Sequence, residues 1–155
     1  MLSSDSRVSP TTYGVGMARK HYHPWRELRS REHLELTWAN LPPGVRGLTD
    51  GTSAIWMESR QLQVERRCTL AHELAHVDLG HTTKPSVSEE TAARRMAAQK
   101  LIDWDALVDV FRWAHNAHEA ADELWVIPEV LEDRLRHLHP HERRLLMLIG
   151  AARNG

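Results

Sequence analysis

The chain has 155 residues, enough for one domain with a hydrophobic core, and its 20 Lys and Arg residues balance 21 Asp and Glu residues. This balance excludes a global attraction to nucleic acid or to an anionic membrane. Hydrophobic residues make up 41% of the chain, which is typical of a globular protein, and no apolar run approaches the roughly 20 residues of a membrane span. The single cysteine and the absence of a signal-peptide hydrophobic region predict a cytoplasmic protein without contact with a membrane.

The first part of the chain predicts a leader and a small sheet. Residues 1–20 are rich in Ser, Thr and Gly without apolar periodicity, which is typical of a flexible leader. The alternation in "HLELTW", residues 33–38, predicts a half-buried strand with Leu34, Leu36 and Trp38 on its inner face. Asp50-Gly51 lies between "VRGLT" and "SAIWM" and is a pair favoured in tight hairpin turns. We expect an antiparallel sheet of about three strands.

From Ser59 onwards the apolar residues follow helical spacing. Ser59 is the predicted N-cap of a helix that runs to about Leu79, with Gly80 as its C-terminal cap. Later helix starts are indicated by capping residues and by one proline, which are Ser86 with Glu89, Asp103, Asn116 with Glu119, and Pro128.

These elements predict an α+β fold in which a small antiparallel β-sheet of about three strands precedes a helical bundle. We expect a flexible leader (1–20) and one domain (21–155). Within the domain, the sheet is expected in 21–58, two helices with a metal-binding motif in 59–102, and the C-terminal helices in 103–155.

The motif is HELAH, residues 72–76. Successive helix residues turn by about 100°, so His72 and His76 share one face and can bind one metal ion. A catalytic zinc ion usually takes three protein ligands and keeps one position open. Glu73 is displaced from direct ligation. It can instead take a proton from a water molecule that zinc acidifies and pass it to a leaving amine.

The third ligand has several candidates. His81 is close in sequence, but in the pattern HExxHxxGxxH the glycine would come one residue earlier and the histidine one residue later. A glutamate from a second helix is the alternative, and Glu89 and Glu90 begin such a helix. Glu89 completes a capping box with Ser86, which leaves Glu90 free to face the neighbouring helix.

The segment "ERRCTLAHELAHVDLGH" followed by "EETAARRMAAQKLI" resembles the ImmA/IrrE family of zinc metallopeptidases, in its actinobacterial and phage-type members. The resemblance is strongest over residues 33–102. Family members carry HExxH on one helix and a pattern E-x-x-A-[ND]-x-[FI]-A-A-x-x-L on the next, whose glutamate falls on Glu90. The resemblance implies a gluzincin-like site with His72, His76 and Glu90 as metal ligands and Glu73 as the catalytic residue.

Two departures from the family pattern matter. The sequence "KLID" stands where the family commonly ends Leu-Leu-Met-Pro, which affects packing more than chemistry, and the other departure is at position 94. Arg94 stands where the family usually has Asn or Asp, a residue that helps to orient a ligand. Asp78 and Asp103 are the candidate substitutes.

The resemblance implies one Zn²⁺ per chain, although the set His, His, Glu also suits Mn²⁺ or Fe²⁺. It further implies an endopeptidase that cleaves a regulatory protein, in particular a helix-turn-helix repressor, and so regulates transcription. If the strand Ala54, Ile55, Trp56 and Met57 lies at a sheet edge beside the metal, it can pair with an extended substrate.

The alternative is a zinc-stabilised regulator or binding module that acts on a repressor or on DNA without cleavage. Direct binding of nucleic acid is not expected. The C-terminal "HEAADELWVIPEVLEDRLRHL" has the outline of a helix-turn-helix, but Glu129, Glu132 and Asp133 offset Arg134 and Arg136 on its second helix. That charge pattern favours a structural or substrate-docking role.

Overall fold

The computed structural model describes residues 21–155, which form three strands and seven helices. In chain order they are α1 (Pro24–Ser30), β1 (Glu35–Ala39), β2 (Gly47–Thr49), β3 (Ala54–Glu58), α2 (Gln63–Leu79), α3 (Val87–Leu101), α4 (Trp104–Phe111), α5 (Ala117–Glu123), α6 (Pro128–Arg136) and α7 (Pro140–Arg153). This confirms the predicted α+β fold. The predicted leader lies outside the described residues. Within residues 21–155, every helix falls short of the length or the apolar character that crossing a membrane requires.

The three strands form a mixed sheet in the order β1-β3-β2. β2 and β3 pair antiparallel as predicted, whereas β1 and β3 pair parallel, so the expectation of a wholly antiparallel sheet was wrong. The physical reason is the connection through residues 40–46, which contains Pro42, Pro43 and Gly44. It reverses the chain but places β2 one strand position away from β1, and β3 then fills the position between them and runs in the same direction as β1.

Helix α1 has no counterpart in the predicted elements and explains an unexpected exposure on β1. Leu34 is buried as predicted, but Trp38 remains 43% exposed. The Trp38 ring stacks on Trp25 of α1 at 5.9 Å between centroids, and the Arg66 guanidinium lies 4.7 Å from its ring centroid. Trp38 therefore packs at the rim of the sheet and not in the core.

The turn between β2 and β3 is fixed by Asp50. Its Oδ1 accepts hydrogen bonds from the backbone N–H groups of Thr52, Ser53 and Ala54, and these bonds lower the pKa of Asp50. Gly51 has a φ of +82°, and a Cβ built there would lie 1.8 Å from the carbonyl oxygen of His81. Only glycine allows this conformation and this close contact with the chain that follows α2.

Most predicted helix boundaries agree with the structure. Gly80 ends α2 with a φ of +71°, Ser86 and Glu89 form the capping box of α3, and Asp103 and Asn116 cap α4 and α5. The start of α2 was predicted too early: its N-cap is Leu62, and the Ser59 hydroxyl bonds to Asn40 instead.

Helices α2 and α3 pack along a line of small side chains. Ala71 and Ala75 on α2 and Ala93 and Ala97 on α3 are buried in the same hydrophobic cluster. Because a methyl group is the largest side chain at these positions, the two helix backbones can approach closely. Close packing brings the HELAH face of α2 to the first turn of α3.

Candidate metal centre

Three side chains from two helices converge on one point. His72 and His76 lie one turn apart on α2, and Glu90 lies in the first turn of α3. The Nε2 atoms of the two histidines are 3.1 Å apart, and each is 3.1 Å from a different oxygen of the Glu90 carboxylate. The structure thus brings together the three ligands that the resemblance implies, with donor atoms that all lie within 4.8 Å of one another.

The protonation states of Glu90 and His76 suit metal binding. The hydrogen bond with His72 lowers the pKa of Glu90 to about 2, despite partial burial. Burial lowers the pKa of His76, and the charge of His72 acts in the same direction. At neutral pH Glu90 is therefore an anion and His76 is neutral, and these are the forms that bind metal ions.

The separations between the donor atoms fit a zinc ion. A tetrahedral ion with bonds of about 2.0–2.1 Å holds neighbouring ligand atoms roughly 3.3–3.4 Å apart, close to the 3.1 Å separations here. Within residues 21–155, the Glu90 carboxylate has the two histidine rings as its close polar partners, and no lysine or arginine lies within 4.0 Å of it. Two imidazole nitrogens and one carboxylate are the protein ligands of many catalytic zinc sites.

Glu73 lies beside the triad as a buried carboxylate. It is 5% exposed, and no residue between 21 and 155 donates a hydrogen bond to it. Burial and the charge of Glu90 raise the pKa of Glu73 to about 7, against the opposite effect of His72. A carboxyl group with a pKa near neutrality can both accept and return a proton, which is the property required of a general base that later acts as an acid.

The triad and Glu73 line one cleft of about 670 Å³. Strand β2 forms one wall, and α6 forms another with Val130, Asp133 and Arg136. The expectation that Ala54, Ile55, Trp56 and Met57 form a substrate-binding edge was wrong. These residues make up most of β3, the central strand, which pairs with β1 on one side and β2 on the other. β2 is the edge strand that borders the cleft.

Gly47 of β2 has no side chain, and the Glu73 side chain occupies the space where a Cβ atom of residue 47 would lie. A Cβ built on Gly47 would lie 2.9 Å from Glu73 Oε1 and 2.7 Å from Thr69 Cγ2. We expect Gly47→Ala to displace the carboxylate, cost about 1–3 kcal/mol of stability through overpacking, and reduce peptide cleavage. Zinc binding should persist because the atoms nearest to that Cβ belong to Thr69 and Glu73 and not to His72, His76 or Glu90. Thermal unfolding, a zinc titration and a cleavage assay test this expectation.

Gly150→Ala provides the control for Gly47→Ala. Gly150 lies inside α7, and a Cβ added there meets nothing within 4 Å. This change should leave cleavage intact and raise stability by up to about 1 kcal/mol through helix propensity. Full activity in Gly47→Ala would show that β2 does not restrict the position of Glu73.

Two of the alternative candidates have structural roles away from the triad. The Glu89 carboxylate accepts a hydrogen bond from the backbone N–H of Ser86 at 2.7 Å, as the capping box requires. Asp78 forms ion pairs with Arg31 at 2.6 Å and Lys100 at 3.0 Å, which connect α1, α2 and α3. Neither Asp78 nor Asp103, the cap of α4, substitutes for the family residue that Arg94 replaces.

The remaining candidates, His81 and Arg94, adjoin the triad without joining it. His81 Nδ1 lies 2.8 Å from Nδ1 of His76, on the ring nitrogen that does not face Glu90. Arg94 is exposed in the cleft, and its charge is one of the smaller causes of the lowered pKa of Glu90. Sequence reasoning missed the role of Gly47 and the contribution of α6, because both depend on contacts between distant segments.

Comparisons with protein-family models, with curated proteins and with solved structures gave no match.

Proposed function

We propose that this protein is a zinc-dependent metallo-endopeptidase that hydrolyses a peptide bond in a regulatory protein. The observation that carries the proposal is the combination in one cleft of a His72-His76-Glu90 triad with the buried, unbonded carboxylate of Glu73. A purely structural metal site is usually closed by four protein ligands and needs no neighbouring base.

His72, His76 and Glu90 would hold the zinc ion. When bound, zinc supplies Lewis acidity that polarises the scissile carbonyl group and acidifies water. Glu73 accepts a proton from the attacking water as the new C–O bond forms, and donates a proton to the leaving nitrogen as the C–N bond breaks. Burial raises the pKa of Glu73 to about 7, which suits both proton transfers at neutral pH.

The shape of the cleft supports an extended peptide as substrate. One side of β2 pairs with β3, and its other side is the edge of the sheet in the wall of the cleft. An extended segment can add to such an edge through backbone hydrogen bonds. The resemblance to the ImmA/IrrE family supports a cytoplasmic helix-turn-helix repressor as the substrate protein.

Co-incubation with the product of a neighbouring repressor gene tests this function. The mass of the intact repressor should disappear and two fragment masses should replace it. The two fragment masses should sum to the mass of the intact repressor plus one water. A zinc chelator should stop the reaction, and added Zn²⁺ should restore it. Cleavage that continues unchanged in the presence of the chelator, after removal of zinc has been verified, would contradict the proposal.

The second candidate is a zinc-stabilised regulator without peptidase activity. The observation in its favour is that the ligands come from two helices, so that an ion joining them would cross-link α2 to α3 and stabilise the fold. This candidate predicts that a Glu73→Gln variant relieves repression as well as the parent protein does.

A further inference from the structure

His76 has a buried partner on the ring nitrogen that faces away from the triad. Its Nδ1 atom lies 2.8 Å from Nδ1 of His81. Both residues are buried, with His76 3% exposed and His81 8% exposed. The rings meet at 62° with centroids 5.1 Å apart. His72, the other histidine of the triad, has only Glu90 and His76 as hydrogen-bond or ring partners among residues 21–155.

The backbone holds His81 in this position. After Gly80 ends α2 in the left-handed conformation, the backbone N–H of His81 donates to the carbonyl oxygen of His76 at 3.0 Å. On the other side, Gly51 in the turn between β2 and β3 packs directly against the His81 carbonyl group. His81 is thus confined between the end of α2 and the sheet, and its ring is directed at His76.

Two neutral imidazoles can form this hydrogen bond in only two ways. Either His81 donates its Nδ1 proton to His76, or His76 donates to His81. In the first case the proton of His76 is on Nε2, which can then donate to Glu90 Oε1 but has no lone pair for a metal ion. In the second case Nε2 of His76 is free to bind a metal ion, and His81 carries its own proton on Nε2.

We propose that His81 is a positioning residue, which accepts a hydrogen bond from Nδ1 of His76 and so holds that ring in the tautomer and orientation that bind zinc through Nε2. The inference rests on the metal centre of the proposed function. Groups that fix the far nitrogen of a ligating histidine commonly change metal affinity about 10–100-fold when they are removed. His81 would act through His76 and would not be a ligand, because the ring nitrogen nearest the triad already bonds to His76.

Two substitutions separate the hydrogen bond from the packing. His81→Leu fills similar space without an acceptor, whereas His81→Asn places an amide oxygen near the former position of Nδ1. We expect His81→Leu to bind Zn²⁺ about 10–100-fold more weakly in competition with a chromophoric chelator, and His81→Asn to retain most of the affinity. His33→Leu, a change at an exposed histidine, is the control. Unchanged affinity in His81→Leu would overturn the inference.

A measurement on the parent protein provides a test that does not depend on how the variants fold. In ¹⁵N-labelled, zinc-loaded protein, imidazole NMR should show the His76 proton on Nδ1 and the His81 proton on Nε2. Coordination of zinc by His81, or a proton on Nε2 of His76, would overturn the inference. Zinc affinity is measured without substrate, so a protein that binds zinc in this way but cleaves nothing would contradict the peptidase proposal alone.

Discussion

Replacing Glu73 by glutamine is expected to reduce peptide cleavage by about 10²–10⁴-fold, the usual contribution of a general base, with little change in zinc affinity. The amide keeps the shape of the side chain but cannot accept the proton of the attacking water. The three ligands remain in place because none of them bonds to Glu73. Cleavage of the repressor and a zinc titration on the same preparation measure both effects.

The same variant should also unfold differently with pH in the metal-free state. Burial raises the pKa of Glu73 from 4.5 to about 7, so the folded protein binds this proton more tightly than the unfolded chain does. The contribution of Glu73 to stability is therefore greatest below pH 4.5, falls as the pH rises towards 7, and stays low above it. Glu73→Gln removes this dependence. The melting temperature of the variant, relative to that of the parent protein, should therefore rise as the pH increases from 4.5 to about 7.

Glu65→Gln is the matched control, because it makes the same chemical change on the same helix. The Glu65 carboxylate accepts a hydrogen bond from the backbone N–H of Leu62 at the start of α2, and glutamine can replace it in that role. This control should cleave normally. If Glu73→Gln cleaved the repressor as fast as Glu65→Gln, the proposed mechanism would be wrong.

The second large effect concerns the third ligand. Glu90→Gln should weaken zinc binding by about 10²-fold or more, since roughly 10–16 kcal/mol of zinc affinity is shared among four ligands in structural sites. A neutral amide also removes the anion that the two histidines contact at 3.1 Å. Competition with a chelator measures the affinity, and cleavage should fall with zinc occupancy.

Glu89→Gln separates metal binding from helix capping. Glu89 belongs to the capping box of α3, and it lies one residue before Glu90. This variant should bind zinc normally and lose at most about 1 kcal/mol of stability, the scale of a helix cap. The assignment of Glu90 as the ligand would fail if Glu89→Gln lost zinc and Glu90→Gln retained it.

Local patterns in the sequence predicted those features of the candidate site that depend on residues within a single helix. The spacing of His72 and His76 places them on one face of any α-helix, and the box of Ser86 and Glu89 involves neighbouring residues only. The choice of Glu90 over Glu89 also follows locally, because the box already occupies Glu89. These parts of the candidate site need no knowledge of the tertiary structure.

Contacts between distant segments could not be predicted in this way. Residues 40–46 do not reveal whether β2 lies directly beside β1 or one strand position away, so the central place of β3 was missed. Gly80 was predicted as the C-terminal cap of α2, but the direction of His81 beyond it also depends on packing by Gly51 from the sheet. The opposite wall of the cleft comes from α6, which is separated from α2 by three helices in sequence.

The line of alanines between α2 and α3 bears on which ions the site can accept. Ala71, Ala75, Ala93 and Ala97 are buried together between the two helices. The helices therefore cannot move closer without a steric clash between methyl groups, and they cannot separate without opening a void. Calcium needs six to eight oxygen ligands, whereas this triad offers two imidazole nitrogens and one carboxylate. Methyl groups that never touch the ion would thereby hold the donor atoms at a spacing close to that of a four-coordinate zinc ion.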